Sequence, residues 1–149
     1  MESTPKNESY GYSILNIANW FLAREESQYL TLEQVQKLCW YANEFTFANT
    51  NKRLFNDVFY IYKDIPSSIT LLHNYNQYDL FEILPKLNNK PYIKEIEIQN
   101  YLENIFKLFS KDYKENISKD NLFIVHALED SNKENKIKKY FSKIKKFFK

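Results

Sequence analysis

The chain has 149 residues and a formal net charge of +2, with 44% hydrophobic and 27% charged residues, which is typical of one globular domain. No apolar run approaches the roughly 18–20 residues that a membrane span needs, and the polar N-terminus lacks a signal-peptide core, so we expect a cytoplasmic protein. The single cysteine excludes an internal disulfide and a cysteine-based zinc site, and the single glycine excludes a glycine-rich phosphate loop.

The first elements in the chain are a polar lead-in and a helix. Residues 1–12 contain a proline and the only glycine, which disfavour a helix there. Ser13 is the predicted N-cap of a helix that runs to about Glu26. Its predicted buried face consists of residues at helical spacing: Ile14, Ile17, Ala18, Phe21 and Leu22. The next helix starts near Leu30, and helices joined by so short a link are expected to pack as a hairpin.

The second helix, Leu30 to Ala48, is the best-specified element of the chain. Thr31 is its predicted N-cap, and Gln34 three residues later completes a capping box. We expect an amphipathic helix with one apolar stripe, made of Val35, Leu38, Cys39, Ala42, Phe45 and Thr46. The residues predicted beside or opposite that stripe are Gln36, Lys37, Trp40, Tyr41, Asn43 and Glu44.

The middle of the chain predicts short elements. Val58 to Tyr62 is aromatic and β-branched, which predicts a strand or extended segment that Pro66 ends. Ser67 or Ser68 is expected to cap a short helix after it. Leu80 to Leu87 is apolar but contains a proline, so either a second short strand or a single helical turn is expected there.

The last third of the chain predicts three more helices. A long helix begins at Ile93 or Ile96 and runs to about Tyr113, and Ser118 caps a shorter helix after it. A final helix covers Lys133 to Phe148. The pattern therefore predicts a mainly α fold, a compact single helical domain into which one short β-hairpin can be inserted, with a basic amphipathic C-terminal helix.

The C-terminal segment differs in charge from the rest. Lys133 to Lys149 contains eight lysines and one glutamate, a net charge of +7, so the other 132 residues together carry −5. Such a helix suits an anionic membrane surface, the phosphates of nucleic acid or an acidic protein partner. The alternative is that its apolar stripe simply docks on the domain. Arginine is scarce in the chain, which disfavours base-specific DNA recognition.

Groups that could converge in a catalytic site are few. His73 and His126 are the only imidazoles, and neither lies in a metal-binding spacing. Cys39 and His126 could form a nucleophile pair. The favoured alternative is that Cys39 is a small buried residue on the apolar stripe and His126 a hydrogen-bonded core residue. We therefore expect no enzyme, no metal site and no cofactor.

The second helix also carries a motif. Leu30 and Thr31 open it, and Val35 to Leu38 reads Val-Gln-Lys-Leu. Cys39 to Asn43 then adds a small residue, two aromatic residues, Ala and Asn. This order resembles the Panacea domain, the family of the antitoxin SocA and of phage-associated GepA proteins, in which Leu-Gln-Lys-Leu is followed by a similar run. Glu44 stands where that family usually has glycine.

The resemblance continues in order along the chain. Leu54 to Asp57 is similar to the family's Leu-Phe and acidic turn, and Ile61 to Lys63 and Pro66 correspond to its next motif. Leu122 and His126 are similar to the leucine and the histidine that the family has after a long helix near its C-terminus. The resemblance covers residues 13–130, which leaves 1–12 as the lead-in and 131–149 as the basic helix outside it.

The resemblance implies a bacterial antitoxin that neutralises a cognate protein toxin by direct binding and, in the SocA-like case, hands the toxin to a bacterial protease as an adaptor. The residues that we expect to contact the partner are Gln36, Lys37, Trp40 and Tyr41. The residues that we expect to build the scaffold are Thr31, Leu38, Ala42, Asn43, Leu54, Phe55, Pro66 and His126.

Alternatives remain for both the residues and the function. Trp40 and Tyr41 could be an exposed anchor or part of the core, and Gln36 could instead bond to backbone groups of the irregular segment 54–66. One alternative function is a phage or mobile-element protein that uses the same scaffold to bind another host factor. The other is a nucleic-acid-binding regulator that acts through Lys133 to Lys149.

Overall fold

A computed structural model describes residues 8–24, 30–62 and 65–109. The described elements are α1 (Ile14–Leu22), α2 (Leu32–Thr50), β1 (Phe59–Tyr62), β2 (Ile65–Ser68), α3 (Ile69–Asn74) and α4 (Ile96–Phe109). The predicted mainly α fold with one short β-hairpin is confirmed. Within these ranges, no helix is both long and apolar enough to span a membrane. The predicted helices at Ser118 and Lys133, and the motif residue His126, lie outside the described residues.

Helix α2 is the centre of the domain, because α1, α4 and β2 all pack against it. Every residue from Leu32 to Phe47 is buried except Gln34, which is half-buried. The prediction of a polar face opposite the apolar stripe is therefore wrong. Elements from three directions enclose the helix, so its polar side chains have to find partners inside the protein.

The predicted N-caps of the first two helices, Ser13 and Thr31, are both confirmed. The Ser13 side chain accepts hydrogen bonds from the first backbone N–H groups of α1, which ends at Leu22 rather than near Glu26. In α2, the Thr31 hydroxyl accepts from the Gln34 N–H at 3.2 Å, and the Thr31 N–H donates to the Gln34 side chain at 2.9 Å. This is the capping box that the sequence predicts.

The predicted strand at Val58 to Tyr62 is β1, and it pairs antiparallel with β2. The prediction that Pro66 ends the strand region is wrong, because Pro66 lies within β2 opposite Ile61. The N–H of Ser68, two residues later, donates to the Gln36 side chain and so points away from β1. Alternation along the strand turns the Pro66 nitrogen the same way, so its missing N–H costs no bond between the strands.

Segment Leu80 to Leu87 forms no full strand or helix, but it begins with a single turn, in which the Glu82 N–H donates to the Asp79 carbonyl at 3.1 Å, and continues with an isolated β-bridge at Ile83. The segment lies against the start of α2. The N–H groups of Leu32 and Glu33 donate to the carbonyls of Glu82 and Leu80 at 3.2 and 2.8 Å. The first N–H groups of a helix have no partner within it, so this segment supplies the acceptors.

Candidate functional site on the central helix

Gln36 lies fully buried in the middle of α2. Its Nε2 donates to the Ser68 carbonyl at 3.3 Å, and its Oε1 accepts the Ser68 N–H at 2.8 Å. The side-chain amide thus bonds to β2 as the backbone of a neighbouring strand would. Of the two predicted roles, bonding to nearby backbone is the one seen, with its partner two residues beyond the segment that we expected.

Asn43, about two turns further along α2, is also buried. Its Oδ1 accepts the N–H groups of Leu54 and Phe55 at 2.8 and 3.1 Å. The first motif therefore binds the second directly, although they lie eleven residues apart. A buried asparagine needs a hydrogen-bond partner, but the periodicity of α2 placed Asn43 beside or opposite the apolar stripe, so this bond was not predicted.

An ion pair that the sequence did not predict lies beside Asn43. The Arg53 guanidinium donates to both carboxylate oxygens of Glu44, at 2.8 and 2.6 Å, and lies 4.0 Å from the Phe47 ring centroid. The Arg53 carbonyl accepts a hydrogen bond from the Tyr10 N–H at 2.8 Å, and the Arg53 N–H donates to the Glu8 carbonyl at 3.4 Å. The bidentate ion pair with Glu44 fixes the orientation of the Arg53 side chain at the end of α2. Because the Arg53 backbone bonds to Glu8 and Tyr10, Arg53 also holds the N-terminal segment there.

The remaining residues predicted to contact a partner are buried as well. Trp40 and Tyr41 are 1% and 0% exposed, and their rings meet edge to face at a centroid distance of 5.3 Å. Lys37 is 6% exposed. Of the two alternatives for Trp40 and Tyr41, an exposed anchor or part of the core, the structure shows the second. Direct contact between these four residues and a partner stays a prediction, and the folded domain presents other side chains at its surface.

The structure gives most of the predicted scaffold residues a packing or capping position. Thr31 caps α2. The scaffold residues that are buried are Leu38, Ala42, Asn43, Leu54, Phe55 and Pro66.

Cys39 is fully buried, and burial raises the pKa of its thiol above the ordinary value. The neutral thiol is therefore the form present near neutral pH, and it is a weak nucleophile. Its possible partner His126 lies outside the described residues. In residues 8–24, 30–62 and 65–109, no cluster of three or more His, Cys, Asp or Glu side chains could hold a metal ion.

Glu33, in the first turn of α2, is a buried carboxyl group. Burial raises its pKa, and the Lys37 ammonium one turn later opposes that shift. A carboxyl whose pKa is higher in the folded state binds protons more strongly there. Its contribution to stability is complete below the pKa of the unfolded chain and is lost as pH rises through the folded-state pKa.

We expect Glu33→Gln to raise the free energy of unfolding at neutral pH, because the amide occupies the buried position without a charge. The gain should shrink as pH falls and vanish below the ordinary carboxyl pKa, where the native glutamate is protonated too. Urea unfolding of both proteins across this pH range measures the difference. The matched control is Glu8→Gln at an exposed position. A gain from Glu33→Gln that is equal at all pH values would contradict this account.

Several large apolar side chains remain exposed, and their exposure was not predicted from the sequence. They form three groups along the chain: Val58, Tyr60, Tyr62 and Ile69 on the hairpin, Phe81 and Ile83 beside the start of α2, and Tyr92 and Ile96 at the start of α4. Clustered apolar side chains of this kind are typical of interaction surfaces.

Comparisons of this chain with protein-family models, with curated proteins and with solved structures found no match. The resemblance to the Panacea domain therefore rests on the ordered motifs and on their residues.

Proposed function

We propose that the protein is a cytoplasmic antitoxin that neutralises a cognate protein toxin by direct binding. The observation that carries the proposal is the motif from Leu30 to Asn43, followed in order by Leu54 and Phe55. Contact between the two motifs supports it, since Asn43 accepts the N–H groups of both later residues. Residues that define one family are expected to meet in space when they build one scaffold.

The buried motif residues act as the support of the binding surface in this proposal. The exposed pair of Phe81 and Ile83 lies at the start of the motif, because Ile83 forms a β-bridge with Thr31, the N-cap of α2. Phe81 is 68% exposed and Ile83 is 51% exposed. Aromatic and aliphatic anchors of this kind supply much of the energy at protein interfaces, so we assign the toxin contact to this pair.

Co-expression with the product of the neighbouring gene tests the proposal. We expect the neighbour alone to arrest growth and the two proteins together to restore it. Phe81→Ser combined with Ile83→Ser should abolish the rescue while leaving the fold intact, because both side chains are exposed. The control is Tyr92→Ser with Ile96→Ser, a more exposed apolar pair at the start of α4. The proposal fails if the neighbour is harmless alone, or if it stays toxic with this protein present.

The adaptor role is a second step of the same proposal. If the protein hands the toxin to a protease, the toxin's half-life after translation stops should be shorter in its presence than in its absence. The Phe81 and Ile83 double variant should leave the toxin's half-life unchanged. If growth is fully rescued while the toxin's half-life is the same with and without this protein, the adaptor step is wrong and neutralisation occurs by binding alone.

A further inference from the structure

Strand β1 presents a backbone edge that no described strand covers, because the sheet contains only β1 and β2 within the described residues. Ser68 donates its N–H to Gln36, so it does not bond to Phe59, its partner in the register. Hydrogen-bonded and non-bonded pairs alternate along antiparallel strands. Tyr60 therefore bonds across to β2, whereas the N–H and C=O groups of Phe59 and Ile61 point to the open edge.

One face of the hairpin carries a row of exposed apolar side chains beside this edge. Val58, Tyr60 and Tyr62 alternate along the chain and are 59%, 55% and 43% exposed, whereas Phe59 between them is 6% exposed. Ile69 follows the Phe59–Ser68 pair in the register and is 63% exposed. β1 contains no charged residue and no proline, the features by which proteins usually protect an open strand edge.

We propose that this edge and this row form an interface between two copies of the chain, in which the two β1 strands pair antiparallel about a two-fold axis at Tyr60. Phe59 of each copy then bonds to Ile61 of the other. Tyr60 lies opposite Tyr60 of the other copy, and Val58 lies opposite Tyr62. This register pairs all three exposed side chains of the row with each other, whereas a shifted register leaves at least one of them unpaired.

The area of the patch matches a weak dimer. Val58, Tyr60 and Tyr62 each present on the order of 100 Å², since aromatic residues bury about 150–250 Å² when fully covered. Two copies would then bury at most roughly 600 Å² of side-chain surface, and with the paired backbone edges the total stays below the ~1,000 Å² expected of a stable interface, in the range of weak contacts. We therefore expect a reversible, concentration-dependent dimer and not a permanent one. This interface is independent of the proposed toxin contact.

Cysteine substitution in the full chain tests the register. Directly opposed residues of a non-hydrogen-bonded pair have Cα atoms about 4.5 Å apart, within the range of about 4.4–6.8 Å for a disulfide. Under oxidised glutathione, we expect Tyr60→Cys to form a disulfide-linked dimer. Val58→Cys alone should not, but a mixture of Val58→Cys and Tyr62→Cys should form a mixed dimer. The native Cys39 is fully buried and serves as the unreactive background.

Sedimentation equilibrium of the unmodified chain provides the second measurement. We expect its mean mass to rise from monomer towards dimer between low and high micromolar concentration. Tyr60→Lys should stay monomeric with an unchanged unfolding midpoint, because it sets two like charges against each other at an exposed position. The proposal is overturned if the unmodified chain is monomeric throughout and Tyr60→Cys does not cross-link. It is also overturned if a dimer forms but persists in Tyr60→Lys, or if Tyr60→Lys changes only toxin neutralisation.

Discussion

Trp40→Ala is expected to lower the free energy of unfolding by about 3–5 kcal/mol, the range seen when a buried aromatic residue is cut back to alanine. Trp40 is 1% exposed at the middle of α2, with its ring against Tyr41. The helix is enclosed by α1, α4 and β2, so little movement is available to fill the cavity. Guanidinium unfolding followed by circular dichroism gives the difference.

The control for this substitution is Tyr92→Ala, because Tyr92 is 80% exposed. Substitutions at such surface positions usually change stability by no more than about 0.5 kcal/mol. A small loss of stability in Trp40→Ala, together with lost toxin binding by a folded protein, would contradict the core position. It would favour the exposed aromatic anchor instead.

Gln36→Leu is expected to lower the free energy of unfolding by about 2–4 kcal/mol, because it leaves a buried N–H and a buried C=O without partners. Both groups belong to Ser68, whose C=O accepts from the Gln36 side-chain amide and whose N–H donates to it. Leucine fills nearly the same volume, so the loss reports on hydrogen bonding and not on a cavity. The measurement is again the denaturant midpoint with an unchanged slope.

Gln36→Glu distinguishes the donor from the acceptor at this site. The carboxylate can accept the Ser68 N–H, but it faces the Ser68 carbonyl without a proton to donate. We therefore expect a destabilised protein at neutral pH whose deficit relative to the native chain narrows as pH falls and the carboxyl group is protonated. A deficit that is independent of pH would mean that the two hydrogen bonds are not what stabilises this position.

Local chemistry accounts for what the sequence predicts well. Ser13 and Thr31 were identified as caps because a cap depends on residues within one turn of it, and Ser68, one of the two alternatives for α3, was found for the same reason. The short strand at β1 was visible from its aromatic and β-branched residues. Each of these elements begins within two residues of its expected start.

Contacts between distant segments account for what the sequence did not predict. The periodicity of α2 indicates one apolar stripe, but it carries no information on how many elements enclose the helix. Pro66 was expected to end a strand, and it is tolerated because the Ser68 N–H is turned towards α2. The pair of Glu44 and Arg53 was missed because each of these residues is, in sequence, an ordinary surface charge.

The two bonds between Gln36 and Ser68 have a consequence for how the domain opens. An isolated two-stranded hairpin is only marginally stable in water, and here its inner strand is tied to the most enclosed helix of the domain. The Ser68 amide proton cannot reach solvent unless β2 separates from α2. Its hydrogen exchange should therefore require the same free energy of opening as the amides at the centre of α2, so the hairpin and the helix unfold as one cooperative unit.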